Sequence, residues 1–307
     1  MKIVCVGPGA MGCLFAALLK RAGQDVALMD YRQERAQILT EKGIQVNGLS
    51  GSFHVRVPVT TKPDLHDKDL IIVCVKAGKT AEVARQLAGK IGARSLVLSL
   101  QNGLGNIEIL SETIGKHRTL GGVTSEGATL LAPGHVRHAG KGQTFIGTLS
   151  GRDSEAAQVA SIFSDAGLQA YVSDNVTGLI WGKLIINVGI NAITAITRLR
   201  NGMLAELDET RELMNLAVNE AVAVAKAKGI DLPYPDPLSR VLEVCKATAN
   251  NVASMLQDVL NRRPTEVDCI NGAVVREAMR LGLPAPVNTA LTQIVKAVEK
   301  TYEMQVN

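Results

Sequence analysis

The chain has 307 residues, of which 46% are hydrophobic and 20% charged, a composition that excludes a disordered chain and is long enough for two domains. The net charge of +4 is spread over 33 basic and 29 acidic residues without a like-charge block, so a nucleic-acid or membrane-surface partner is not expected and small molecules are. No consecutive apolar run reaches the roughly 18 residues of a membrane span, and Met1 leads into a strand pattern rather than a basic leader, so no membrane association and a cytoplasmic location are expected. The first element is KIVCV, a strand that runs into Gly7, Gly9 and Gly12; MGCLFAALLKRAG then reads as a helix, DVALMD as a strand and RAQILTEKG as a helix. Strand, helix, strand and helix in alternation indicate a parallel sheet. Two further apolar runs, 69–76 and 95–101, fit strands covered on both faces, with TAEVARQLAGKIG as the helix between them. The stretch from Gly121 to Gly151 is expected to form paired strands at the sheet edge. Beyond about residue 174 the patterns turn helical: LIWGKLIINVGINAITAIT, TRELMNLAVNEAVAVAKAKG and EVDCINGAVVREAMRLG, with PYPDP at 233–237 as a rigid connector.

The glycine-rich loop sits after a strand and opens a helix, the context a dinucleotide fingerprint requires. Gly7 permits the tight turn, Gly9 lets backbone approach a pyrophosphate, and Gly12 allows close helix packing, with Pro8, Ala10 and Met11 in the same loop. Asp30 ends the second strand eighteen residues past Gly12, where an acid hydrogen-bonds a ribose 2′-hydroxyl and favours NAD. Arg32 and Arg35 follow at once, and a guanidinium there suits the 2′-phosphate of NADP, so both cofactors stay open. Lys76 and Asn102 lie just past two predicted strands, at the carboxyl edge where ligands gather on such sheets.

In the helical half, Lys183, Asn187 and Asn191 are spaced four apart and share one helical face. Their neighbours are apolar around most of the helix, so the three polar groups need either an internal network or a polar ligand. Near the C-terminus Thr265 and Asp268 resemble a capping box, which places Glu266 in a helix's first turn, where a plain stabilising acid is the ordinary reading. Cys5, Cys13, Cys74, Cys245 and Cys269 show neither CxxC nor metal spacing; they read as reduced apolar fillers, and no metal site is expected.

Taken in order, GPGAMG, CVKA, QNGLG, PGHVRHAGKGQTFIG, WGKLIINVGINAITAI with RNG, and SML followed by TEVDCINGAVV resemble the ketopantoate reductase (2-dehydropantoate 2-reductase) family over nearly the whole chain. The resemblance implies an α/β Rossmann-type dinucleotide-binding domain over 1–173, followed by an all-α domain for substrate and dimerisation over 174–307. It implies NADP-dependent reduction of 2-dehydropantoate to (R)-pantoate, on the route to pantothenate and coenzyme A. Lys183 would then be the proton donor, assisted by Glu266. Residues 7–12, Lys76, Asn102 and Glu266 would face the cofactor, and Asn102, Lys183, Asn187, Asn191, Asn201 and Ser254 the 2-keto acid. Asp30 ahead of Arg32 departs from the family's usual NADP pattern. Contacts from residues 122–132 are left unassigned, and the stripe LMNLAVNEAVAVA fits either internal packing or a homodimer. A reductase of another 2-keto or 3-hydroxy acid, and a non-catalytic dinucleotide sensor, are the competing expectations.

Overall fold

Strand β1 (Lys2–Val6) divides its side chains between two cores: Ile3 and Cys5 enter one, Val4 and Val6 the other. That alternation is the reason a continuous apolar run forms a strand covered on both faces. The structure, a computed structural model, describes residues 1–62, 64–151 and 153–304. The expected domain ranges also include Pro63, Arg152 and 305–307, which lie outside the described residues.

After β1 come α1 (Ala10–Arg21), β2 (Asp25–Met29), α2 (Gln33–Lys42), β3 (Ile44–Gly48), β4 (Phe53–Val55), β5 (Val59–Thr60) and β6 (Leu70–Val73). They are followed by α3 (Thr80–Leu87), β7 (Leu96–Ser99), α4 (Asn106–Ile114), β8 (Thr119–Thr124), β9 (Gly127–Ala132), β10 (His135–Gly140), β11 (Gln143–Thr148), α5 (Asp153–Asp165) and β12 (Gln169–Val172). Eight strands form one sheet in the order β12-β11-β8-β7-β6-β1-β2-β5, parallel throughout except where β11 runs against β8. Phe15 of α1 and Phe163 of α5 pack together on one face; Val83 and Leu87 of α3 and Leu110 of α4 cover the other.

The segment 121–151 differs from the expected pair of edge strands. Only β8 and β11 join the large sheet; β9 and β10 leave it and complete a second sheet, β4-β3-β10-β9. The cause is α1, whose residues from Gly12 to Leu19 are all buried. A helix apolar on every side needs cover on both, and Val46 of β3 with Val136 of β10 supply the outer layer.

The helical half contains α6 (Val176–Thr197), α7 (Asn201–Glu206), α8 (Asp208–Ala227), α9 (Pro237–Ala247), α10 (Ser254–Leu260), α11 (Asn271–Leu281) and α12 (Pro286–Lys300). The connector at 233–237 lies between helices as expected, and it ends in a cap that was not read from the sequence: Asp236 accepts the Ser239 N–H at 3.0 Å, and Pro237 opens α9. Helix α6 corrects the expectation that nothing here is long and apolar enough to cross a membrane: its 22 residues carry a mean hydropathy of 1.6 in an 18-residue window. Lys183, Asn187 and Asn191 break the consecutive apolar count without lowering that mean enough. Within the fold 67% of the window is buried, and Trp181, Leu184, Ile185 and Val188 belong to the helical core.

The chain divides into two compact units, one of Met1–Gln101 with Asn106–Val176 and one of Asn102–Gly105 with Thr177–Asn307. An α/β unit followed by an all-α unit is thus the observed order, with one short excursion at Asn102–Gly105.

Candidate active site

In the α/β unit the loop after β1 closes tightly. Gly7 has φ +97°, its N–H donates to Met29 O at 3.0 Å, and a Cβ there would lie 2.7 Å from Val75 Cγ1. At Gly12 a Cβ would lie 2.2 Å from Gly7 O, so the helix can come this close only without a side chain. Gly9 is different, because a Cβ there would meet nothing within 4 Å. Open space therefore lies beside the start of α1, where the first N–H groups have no partner within the helix. Pro8 O accepts from Cys13 Sγ at 3.5 Å, while Ala10 and Met11 form the half-buried first turn. This arrangement fits the phosphates of a dinucleotide.

Asp30 is placed differently from a ribose acceptor waiting in the open. Its side chain has no exposed surface: Arg35 grips it with Nε on Oδ2 and with Nη2 at 2.7 Å from Oδ1, and the Arg32 N–H reaches Oδ1 at 3.1 Å. Arg32 itself is exposed, its guanidinium 5.6 Å from the Tyr31 ring centre. Lys76 is exposed at the end of β6, opening the short turn Ala77–Lys79.

Sequence reasoning missed the side chain that fixes this strand-end loop. Gln101 Nε2 donates to Val75 O at 2.7 Å and to Thr80 Oγ1 at 2.9 Å, and Thr80 passes its own proton to Asn106 Oδ1 at 2.7 Å. Polar Ser99 and Gln101 at the end of an apolar run were the available signal. Burial pushes the thiols of Cys13 and Cys74 up to about 12, so both stay protonated fillers.

In the helical unit, α6 carries Lys183, Asn187 and Asn191 on one face. Asn187 Nδ2 and Asn191 Nδ2 are buried without a hydrogen-bond partner. Asn201 opens α7; its Nδ2 donates to Thr248 Oγ1 at 2.9 Å, and its Oδ1 is buried without a partner. Because the Thr248 hydroxyl spends its proton on Val244 O at 2.6 Å, the Asn201 amide must face it with nitrogen, which leaves oxygen as the vacant acceptor. Ser254 is exposed as the first residue of α10, three residues past the Asn251 carbonyl that accepts the Asn201 N–H.

Glu266 stands just before the 3-10 turn Val267–Cys269, not inside a helix's first turn. The expected capping box does not form, since Asp268 is drawn to Lys296 at 2.9 Å and Thr265 Oγ1 accepts from Val267 at 3.2 Å. Burial brings the Lys183 ammonium from 10.5 to about 8, and the Glu266 carboxylate acts on it in the opposite direction. Asn102 arrives with the excursion Asn102–Gly105, which is tied down where Leu104 N donates to Cys269 O at 2.9 Å. Lys183, Glu266 and this loop thus belong to one unit.

Two family models match the chain: "Ketopantoate reductase PanE/ApbA" over residues 3–151 and "Ketopantoate reductase PanE/ApbA C terminal" over 175–299. A 2-dehydropantoate 2-reductase from Archaeoglobus fulgidus is 39% identical over 299 residues, covering 97% of this chain and 98% of that one. The crystal structure of a PanE/ApbA family ketopantoate reductase from Ralstonia eutropha JMP134 superposes with a TM-score of 0.91 at 32% identity, over 99% of this chain and all of the other. A D-mandelate dehydrogenase in ternary complex with NADH and anilino(oxo)acetate gives 0.93 at 29% identity, with coverage of 99% and 100%.

Proposed function

The chain belongs to the ketopantoate reductase family, and from that premise we propose that it reduces 2-dehydropantoate to (R)-pantoate with NADPH in the cytoplasm. The observation that carries this reading is a set of buried amide atoms without hydrogen-bond partners in the helical unit, the two donors of Asn187 and Asn191 and the acceptor of Asn201, in the same unit as the Lys183 ammonium of lowered pKa.

When bound, the dinucleotide supplies the hydride, and the open backbone beside Gly9 with the exposed Arg32 and Lys76 suits its phosphates. Arrival of hydride at the ketone carbon moves an electron pair onto the carbonyl oxygen. Lys183 stabilises that charge, gives its proton to the oxygen, and is left neutral until solvent reprotonates it. The amide donors of Asn187 and Asn191 suit carboxylate oxygens, and they add no charge that would compete with the ammonium. Asn201 Oδ1 needs a donor, which the hydroxyl of 2-dehydropantoate provides. Glu266 favours the protonated form of Lys183 against the effect of burial. Asn102 and Ser254 are assigned to the same substrate.

A second reading comes from the D-mandelate dehydrogenase likeness: a 2-keto acid with an aromatic side chain. Such a substrate lacks the hydroxyl that Asn201 requires, and burying an unpaired acceptor against it would cost about 1–3 kcal/mol. The test is NADPH and NADH oxidation with 2-dehydropantoate and with phenylglyoxylate, assayed side by side. A larger kcat/KM with 2-dehydropantoate and NADPH is expected. A preference for phenylglyoxylate would overturn the substrate, and cofactor binding without turnover of either acid would return the chain to the sensor reading.

A further inference from the structure

At the end of β2 a Rossmann-type fold commonly offers a carboxylate to the adenosine ribose, and that same charge repels a 2′-phosphate. Here the carboxylate is present but committed. Both Asp30 oxygens are held by the Arg35 fork, Oδ1 takes the Arg32 N–H as well, and the Asp30 N–H is bound to Thr60 O at 3.0 Å. Arg35 stands in the first turn of α2, with 24% of its side chain exposed against none of Asp30's. Such a bidentate pair is both strong and fixed in direction. Cys13 of α1, near Arg35, stays a neutral thiol and adds no charge to the pair. The Asp30 charge is therefore cancelled inside the fold, and the exposed Arg32 is left at the strand end.

We infer that Arg35 sets the choice of dinucleotide: by pairing with Asp30 it removes the repulsion a 2′-phosphate would meet, and Arg32 can then hold that phosphate. The inference rests on the NADPH reading above. Arg35 is a positioning residue in this scheme, because it acts through Asp30 and need not touch the cofactor. It also explains how a chain with an acid ahead of its arginine can use NADP, where the sequence alone pointed both ways.

The test needs no catalysis. Calorimetry with 2′,5′-ADP and 5′-AMP, which differ only in the 2′-phosphate, is run on the full chain and on Arg35→Met, Asp30→Asn and the double variant. The unaltered protein is expected to prefer 2′,5′-ADP, Arg35→Met to lose about tenfold or more of that preference, and the double variant to regain it to within about threefold. Retention of the preference in Arg35→Met, or failure of Asp30→Asn to rescue it, would overturn the inference; the second result would mean that Arg35 meets the phosphate directly. Asp30→Asn alone is expected to keep the preference, and a loss there would overturn the inference even if Arg35→Met does not fold. No preference in the unaltered protein would instead defeat the NADPH reading itself.

Discussion

Lys183 is held between two influences of opposite sign. Burial favours the neutral amine and lowers its pKa from 10.5 to about 8, while Glu266 favours the ammonium. A proton donor must carry its proton, so kcat/KM is expected to fall as pH rises through about 8. Glu266→Gln removes the influence that raises the pKa, and its basic limb should therefore move to lower pH; a pH profile of the two proteins checks this. Lys183→Met should lower turnover by about two orders of magnitude or more. It should also raise the melting temperature at neutral pH. The folded pKa lies below the unfolded one, so the buried charge opposes folding below about 8 and ceases to do so as pH rises to 10.5. Lys183, Asn187 and Asn191 were legible in the sequence because polar residues four apart on an apolar helix share a face whatever packs around it. The grip of Arg35 on Asp30 was not, since it depends on how the β2–α2 turn folds back, and no period encodes that.

The glycine loop shows how one element assigns different duties to residues of one type. A methyl group at Gly12 would be forced against Gly7 O, whereas one at Gly9 enters open space. Gly12→Ala is thus expected to destabilise the protein by about 1–3 kcal/mol in a denaturant titration. Gly9→Ala should leave stability nearly unchanged and weaken dinucleotide binding, which calorimetry would register. The loop was readable because strand, glycines and helix are contiguous. The second sheet was not: β3 and β10 pair in parallel with His135 against Gln45, and short runs such as IQVNG and FHV give no hint of so distant a partner. The capping box failed for a related reason. Lys296, far along the chain, takes the Asp268 carboxylate that the local pattern had reserved for a helix terminus.

For the molecule as a whole, the instructive segment is Asn102–Gly105, which leaves the α/β unit and joins the helical one. Nothing in QNGLG announces this, because a turn after a strand looks the same whichever neighbour it later packs on. The contact is specific: Gly103 has φ +85°, and a Cβ there would lie 2.4 Å from Cys269 O. Gly103→Ala must therefore push the loop off the segment that carries Glu266, and Asn102 moves with it. Under the proposed assignment Asn102 meets the keto acid and Arg32 the 2′-phosphate, so this variant should disturb the first and spare the second. The expected result is a fall of about tenfold or more in kcat/KM for the keto acid, with 2′,5′-ADP binding unchanged by calorimetry. Gly105→Ala is the control, since its φ of +94° carries the same backbone penalty but its Cβ would meet nothing within 4 Å. If both variants lose activity equally, the loop's conformation matters and its seat on Cys269 does not. If only Gly103→Ala does, that seat is what presents Asn102 to the substrate.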